Sequence, residues 1–331
     1  MKNKHLAPRR WTRQQGVALL LLMMILFATG TSLFLAGMNN RSPYLDQREE
    51  VQRQLALAKE ALLAYAVNYA DISNTGKGPG RLPCMDENHD GMPDASCTHF
   101  LGYEMFIFHR DYYYSRVGQL PASLFLPGSG SPYLINRHYE GINQQFWYGV
   151  SWKYRESGTR PINSTMPGGH YSITGHVDEM VAVLVAPGDA LASQNRNSTN
   201  IANYLELDTS RNIDNRYGWR FGSGNNAEDF NDIVVGISRR ELMLGVTARV
   251  TAEVKQQLDA YHNIEGRYPA NNTEYETSLA GIASWFNDDN WDGVNNYNQV
   301  SPDEATLSFD GCAIVYTLNV VTGTTRAPNR C

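Results

Sequence analysis

The sequence has little charge, few cysteines and none of the common catalytic signatures. Asp, Glu, Lys and Arg make up 19% of its 331 residues, and the 28 basic residues are outnumbered by 34 acidic ones, for a net charge of -6. No overall basic field exists to draw in a phosphate backbone, so a nucleic-acid partner is not expected. There is no G-x-S-x-G elbow, no P-loop and no G-x-G-x-x-G, so no nucleophile or phosphate cradle is in view and an enzyme is not expected. Only four cysteines occur, without a C-x2-C knuckle, which argues against a four-thiolate zinc site. The mean hydropathy of -0.42 excludes a polytopic membrane protein.

One long hydrophobic run is present. Val17 to Met38 contains 22 consecutive residues without an ionisable group. As a helix at about 1.5 Å per residue it would reach about 33 Å, the thickness of a bilayer's hydrocarbon layer. Lys2, Lys4, Arg9, Arg10 and Arg13 precede it with no acidic residue between them, and the rest of the chain holds 23 basic against 34 acidic residues. The positive-inside rule then keeps the amino terminus cytoplasmic and sends the acidic body across the membrane. A cleavable secretory signal fits poorly, because such apolar cores run to only about 7–15 residues and end in an A-x-A-like site, which Leu35-Ala36-Gly37 does not match.

The junction Arg13-Gln14-Gln15-Gly16 followed by Val17-Ala18-Leu19-Leu20-Leu21 resembles the leader and first residues of type IV pilins and pseudopilins. The resemblance implies cleavage by a prepilin peptidase after Gly16 and methylation of Val17 as the new terminus. It also implies a bacterial inner-membrane, single-pass precursor with a periplasmic body, and later residence in a pilus or at the cell surface. Its partners would be other pilin or pseudopilin subunits, the peptidase, the inner-membrane assembly platform and the membrane itself. The fifth residue after the junction, usually glutamate in that family, is Leu21 here. Such a glutamate would offset a neighbouring subunit's buried amine. Its absence is shared by the K-type pseudopilin and some minor pilins, and suits a subunit at or near a filament tip.

Beyond a polar break at Asn39 to Pro43, apolar residues recur at Val51, Leu55, Ala58, Leu62, Tyr65 and Tyr69, with spacings of 4, 3, 4, 3 and 4. That is one helical face. The expected fold class is α+β: a long amino-terminal pilin-like helix with a transmembrane first half, then a β-rich globular region with a second helix-plus-sheet pilin-like module. The expected division is a leader at 1–16, a transmembrane half-helix at 17–38 and an amphipathic half at 39–70. A first globular module with an aromatic-rich insertion follows at 71–237, and a second pilin-like module at 238–331. The second module is read from an internal echo. Helix, Gly80-Arg81-Leu82-Pro83 and an acidic loop are followed by helix, Gly266-Arg267-Tyr268-Pro269 and an acidic loop. The second helix is expected to start at Ser238, with Glu241 completing a capping box.

Both acidic loops read D-x-N-x-D-G-x-x-[DN], a spacing that gathers oxygen ligands around a hard cation, with glycine at the bend. The expected calcium ligands of the first are Asp86, Asn88, Asp90, the Met92 carbonyl and Asp94. Those of the second are Asp288, Asn290, Asp292, the Val294 carbonyl and Asn296. One or two calcium ions are the only cofactor expected. Cys97 and Gln299 stand where an EF-hand has its bidentate glutamate, so affinity should fall to the weak extracellular range of about 10⁻⁴ to 10⁻³ M. An even cysteine count beyond a membrane span suggests disulfides. Three pairings are possible, and the nearest-neighbour ones, Cys84 with Cys97 and Cys312 with Cys331, make short loops.

His170 and His176 lie in a Gly-rich stretch and read as ordinary surface histidines. Val181 to Val185 is the best buried strand of the middle region. The leading expectation is a minor pilin or pseudopilin of a type IV pilus or type II secretion filament, stabilised by calcium and disulfides. The alternative is a membrane-anchored extracytoplasmic adhesin or ligand-binding protein outside any filament.

Overall fold

The computed structural model describes residues 43–73, 75–94, 97, 117–124, 133–134, 145–198, 200–216, 218–224 and 229–327. Two compact units divide the chain at Gln52/Arg53. In the first, the described residues are helical from Pro43; that helix, α1 (Pro43–Val67), continues into the second unit.

The expected fold class needs correction. Among the described residues no helix is long and apolar enough to cross a membrane. Val17–Met38 lies outside those residues, and α1 itself carries Asp46, Arg48, Glu49, Glu50, Arg53, Lys59 and Glu60, a charge load that an apolar bilayer would not accept. What the chain does form is an α+β fold whose globular region is mostly β.

Within the second unit, Leu55, Ala58, Leu62, Tyr65 and Tyr69 are buried, so the 4-3-4 spacing marks an inward face. The first sheet is antiparallel and contains β1 (Val117–Gln119), β2 (Trp147–Val150), β3 (Met180–Ala186) and β4 (Ile233–Ser238), in the order β1-β2-β3-β4. All seven residues of β3 are buried, as expected of an apolar run covered on both faces. Trp147, Val183, Val185 and Val234 pack on one side with Tyr171, Ile201, Leu205 and Phe221. The next residue along β2, Tyr148, points the other way and donates to the Pro83 carbonyl at 3.2 Å, following the period-two alternation of a strand.

Strand β4 runs directly into α2 (Arg239–Glu265). Ser238 caps it: its hydroxyl accepts the Glu241 amide at 3.2 Å and the Glu241 carboxylate accepts the Ser238 amide at 2.9 Å. Such caps contribute about 1 kcal/mol. Gly266, at φ 71°, ends the helix in the left-handed conformation that glycine adopts without penalty. Gly245 lets α1 and α2 meet closely, since a Cβ there would lie 2.7 Å from Val67 Cγ2.

Two short helices, α3 (Asn272–Ser278) and α4 (Trp285–Asp288), precede the second sheet. That sheet is an antiparallel meander of β5 (Asn295–Ser301), β6 (Glu304–Phe309), β7 (Cys312–Asn319) and β8 (Gly323–Arg326). Alternate residues are buried, among them Leu307, Phe309, Ile314, Tyr316 and Leu318. This face meets α2, where the Thr247 and Tyr316 hydroxyls lie 2.9 Å apart. Trp291, Phe309 and Tyr316 form a chain of edge-on ring contacts.

Candidate functional site

The first acidic loop is folded around Asp86, which is fully buried. Its carboxylate accepts the Asp90 amide at 3.2 Å through Oδ1 and the Gly91 amide at 2.8 Å through Oδ2. The same Asp90 amide reaches Asn88 Oδ1 at 2.9 Å, so oxygens of the first two expected ligands, Asp86 and Asn88, meet at one amide. Asp90 Oδ1 accepts the Met92 amide at 2.8 Å and Asp94 Oδ2 the Glu87 amide at 2.9 Å. His89 and Gly91 have φ of 64° and 87°, which curl the loop tightly.

Each of these carboxylates keeps lone pairs beyond its amide contact, and the donor set of carboxylates, an amide oxygen and a carbonyl is the set a hard divalent cation takes. The first loop thus offers oxygens of the type calcium takes. Among the described residues no group of three acidic, histidine or cysteine side chains is placed to hold a metal, so Asn88, backbone carbonyls and water would have to complete the shell.

Cys84 and Cys97 are joined by a disulfide across this loop, with Cα atoms 5.1 Å apart. The Cys84 amide donates to Glu156 Oε1 at 3.0 Å, and Tyr65 of α1 donates its hydroxyl proton to Glu156 Oε2 at 2.5 Å. Burial pushes the Glu156 carboxyl above its ordinary value, opposed by the Tyr65 and Cys84 hydrogen bonds and by Lys77. The loop, the bridge and α1 are thus tied through one carboxylate. Cys312 is also disulfide-bonded; its expected partner, Cys331, lies outside the described residues, as do Gly16 and Val17.

The second acidic loop is used differently. Asp288 ends helix α4, and Asn296 lies in β5, donating to Asp310 Oδ1 at 2.9 Å. The Val294 carbonyl accepts the Asp310 amide at 2.8 Å. Asp288, Asn290 and Asp292 are exposed. Phe286, Trp291 and Val294 of this segment are buried and hold it against the core.

The buried acid of this segment is Asp289, which is not among the expected ligands. Arg81 Nη2 meets Asp289 Oδ1 at 2.8 Å, with side-chain exposures of 3% and 4%. Asp289 also accepts the Gly78 amide at 2.9 Å and the Ile162 amide at 3.2 Å, and its own carbonyl accepts Asn163 Nδ2 at 2.9 Å. Arg81 in turn donates to the Gly158 and Arg160 carbonyls. Burial raises the Asp289 carboxyl, partly opposed by Arg81 and these amides. The arginine of the first G-R-[LY]-P motif is therefore bonded to the acidic loop of the second half. Arg239, at the start of α2, donates to the Ser164, Met166 and Gly311 carbonyls and adds to the same seam.

His176 is exposed, whereas His170 is half-buried. His170 Nε2 accepts the Trp152 indole N–H at 2.9 Å, so its proton sits on Nδ1 and is donated to Ser151 Oγ at 2.7 Å. In that tautomer the imidazole cannot take the serine proton through Nδ1, and the Ser151–His170 contact is structural.

No family model, curated protein or solved structure matches the chain.

Proposed function

We propose that the chain is a structural subunit of a bacterial surface filament, a minor pilin or pseudopilin. It is delivered through the inner membrane by the uncharged Val17–Met38 stretch and matured by cleavage between Gly16 and Val17. The observation that carries this reading is the run Arg13-Gln14-Gln15-Gly16-Val17-Ala18-Leu19-Leu20-Leu21 behind a wholly basic head.

The rest of the molecule suits a load-bearing extracytoplasmic part. A disulfide crosses the first acidic loop, Arg81 and Asp289 join the two halves across a buried seam, and calcium, at the Asp86 loop, would supply a cation there that neutralises crowded carboxylates and stiffens the turn. Leu21 in place of glutamate favours a position with no subunit above it.

The mature amino terminus tests the reading. Mass spectrometry of the protein from its native membrane should find N-methylated Val17, and replacing Gly16 should leave the leader in place. Protein that begins at Met1 and never co-purifies with fibre components would overturn it.

A further inference from the structure

The corner where β3 ends and β4 begins holds a separate buried polar cluster. Ala186 pairs with Ile233, a Cβ on Gly188 would lie 1.9 Å from Asn231 Oδ1, and Asn231 Nδ2 donates to the Asp189 carbonyl at 3.0 Å. The segment from Gln194 to Glu206 folds against this corner. Glu206 Oε2 accepts the Asn231 amide at 3.0 Å and the Asp232 amide at 2.9 Å. Asp232 Oδ2 accepts the Glu206 amide at 2.9 Å and Asn215 Nδ2 at 2.9 Å. The two acids hold each other's backbone, at exposures of 4% for Glu206 and 0% for Asp232.

The charges do not balance. Arg196 faces both acids; its Nη2 donates to the Gly188 carbonyl at 2.9 Å and its guanidinium lies 4.9 Å from the Tyr204 ring centre. One guanidinium against two ionised carboxylates leaves one uncompensated buried negative charge, which is costly. Asp189 also faces Arg196 but is exposed, and Arg211 is spent over the Phe230 ring at 4.7 Å. Among the described residues, Asp232 Oδ1 has no hydrogen-bond partner. A buried oxygen that no donor reaches, on an acid facing a second carboxylate, is where a proton restores neutrality.

We propose that Asp232 carries a proton on Oδ1, and that its departure to solvent as pH rises loosens the corner, making it a pH-sensitive latch on the segment that ends at Glu206. Burial first, then the Glu206 charge, pushes the Asp232 carboxyl well above its ordinary value. A raised acid contributes stability that is complete below its unfolded value and is lost as pH climbs through the folded one, so the latch is closed in acid.

The test is amide hydrogen exchange on the full chain in detergent micelles, read as protection factors for Glu206, Asn231 and Asp232 between about pH 5 and about pH 8. Protection in the wild type should fall on the order of tenfold. Asp232→Asn removes the titrating carboxyl and should remain flat; Glu206→Gln removes the like charge and should flatten the profile even if the first variant does not fold. Flat wild-type protection, or the same fall in a folded variant, would overturn the latch. The assigned Asp232 carboxyl-carbon signal needs no variant: movement within that pH range supports the proposal, and a signal already settled below about pH 5 sinks it.

Discussion

Arg81 and Arg267 stand in the same motif, each after a glycine and followed by a residue and a proline, yet their surroundings have little in common. The backbone is repeated: Gly80 and Gly266 both have positive φ, at 102° and 71°, and Leu82 and Tyr268 are both fully buried. The arginines are not. Arg81 is buried against Asp289, 208 residues away in sequence. Arg267 makes a two-pronged contact with Glu274, only seven residues on, at 2.6 and 3.1 Å, and the pair is open to water. The same four-residue phrase thus yields a seam between halves in one place and a local surface clasp in the other. Burial, not the motif, decides what the arginine contributes.

The largest expected effect follows directly. Arg81→Ala leaves Asp289 as an unpaired buried charge and should cost about 3–5 kcal/mol in chemical denaturation, whereas Arg267→Ala should lower the midpoint only slightly. Equal losses would break the contrast.

How far this could be read from the sequence depends on how local each determinant is. The Ser238–Glu241 box and the Leu55–Tyr69 face are local, set by three- and four-residue spacing, and they are where the spacing puts them. The β3 run needed only its own apolar residues. The Arg81–Asp289 pair is not local, and Asp289 is hidden as the second acid of Asp288-Asp289-Asn290, the position that a calcium-loop reading skips. Tyr65, Glu156 and Cys84 likewise converge only in the fold. The second loop matches the first in letters, but its fourth position is Trp291 where the first has His89. The fully buried Trp291 anchors its loop in the core, where the exposed His89 leaves the first loop at the surface. The transmembrane half-helix rested on a hydropathy run that lies outside the described residues, while the helix that is described is charged.

Next in size is the bridge over the first loop, which the second loop lacks. With a sequence separation of 13, replacing Cys84 and Cys97 together by serine should remove about 3 kcal/mol, chiefly through a freer unfolded chain. An unchanged denaturation midpoint would show that Glu156 alone holds the segment.

Calcium should then separate the loops. At free calcium about ten times its dissociation constant, binding should add roughly 1.4 kcal/mol, seen as a higher melting temperature that chelator reverses. Asp90 is exposed, so Asp90→Asn should abolish the calcium response without unfolding the loop, while Asp292→Asn should keep it. A response that follows Asp292 instead would reverse the assignment, and identical melts with calcium and chelator would end the case for either loop.

The smallest effect is the most diagnostic, because the two carboxyls differ in the sign of their pH dependence. Hydrogen bonds from Arg267, first, and from the Ala270 amide hold the Glu274 carboxyl down at about 2. A depressed acid stabilises above its ordinary value of 4.5, and that contribution is lost as pH falls through about 2. Asp289, raised by burial, works the other way: its contribution is lost as pH rises. The melting difference between wild type and Arg267→Ala should therefore shrink on acidification, and in roughly 1 M salt, which screens exposed pairs. The difference for Arg81→Ala should be nearly insensitive to salt, since its partner sits out of reach of solvent ions. If added salt removed both differences alike, Arg81 would be as solvated as Arg267, and the buried seam between the halves would not exist.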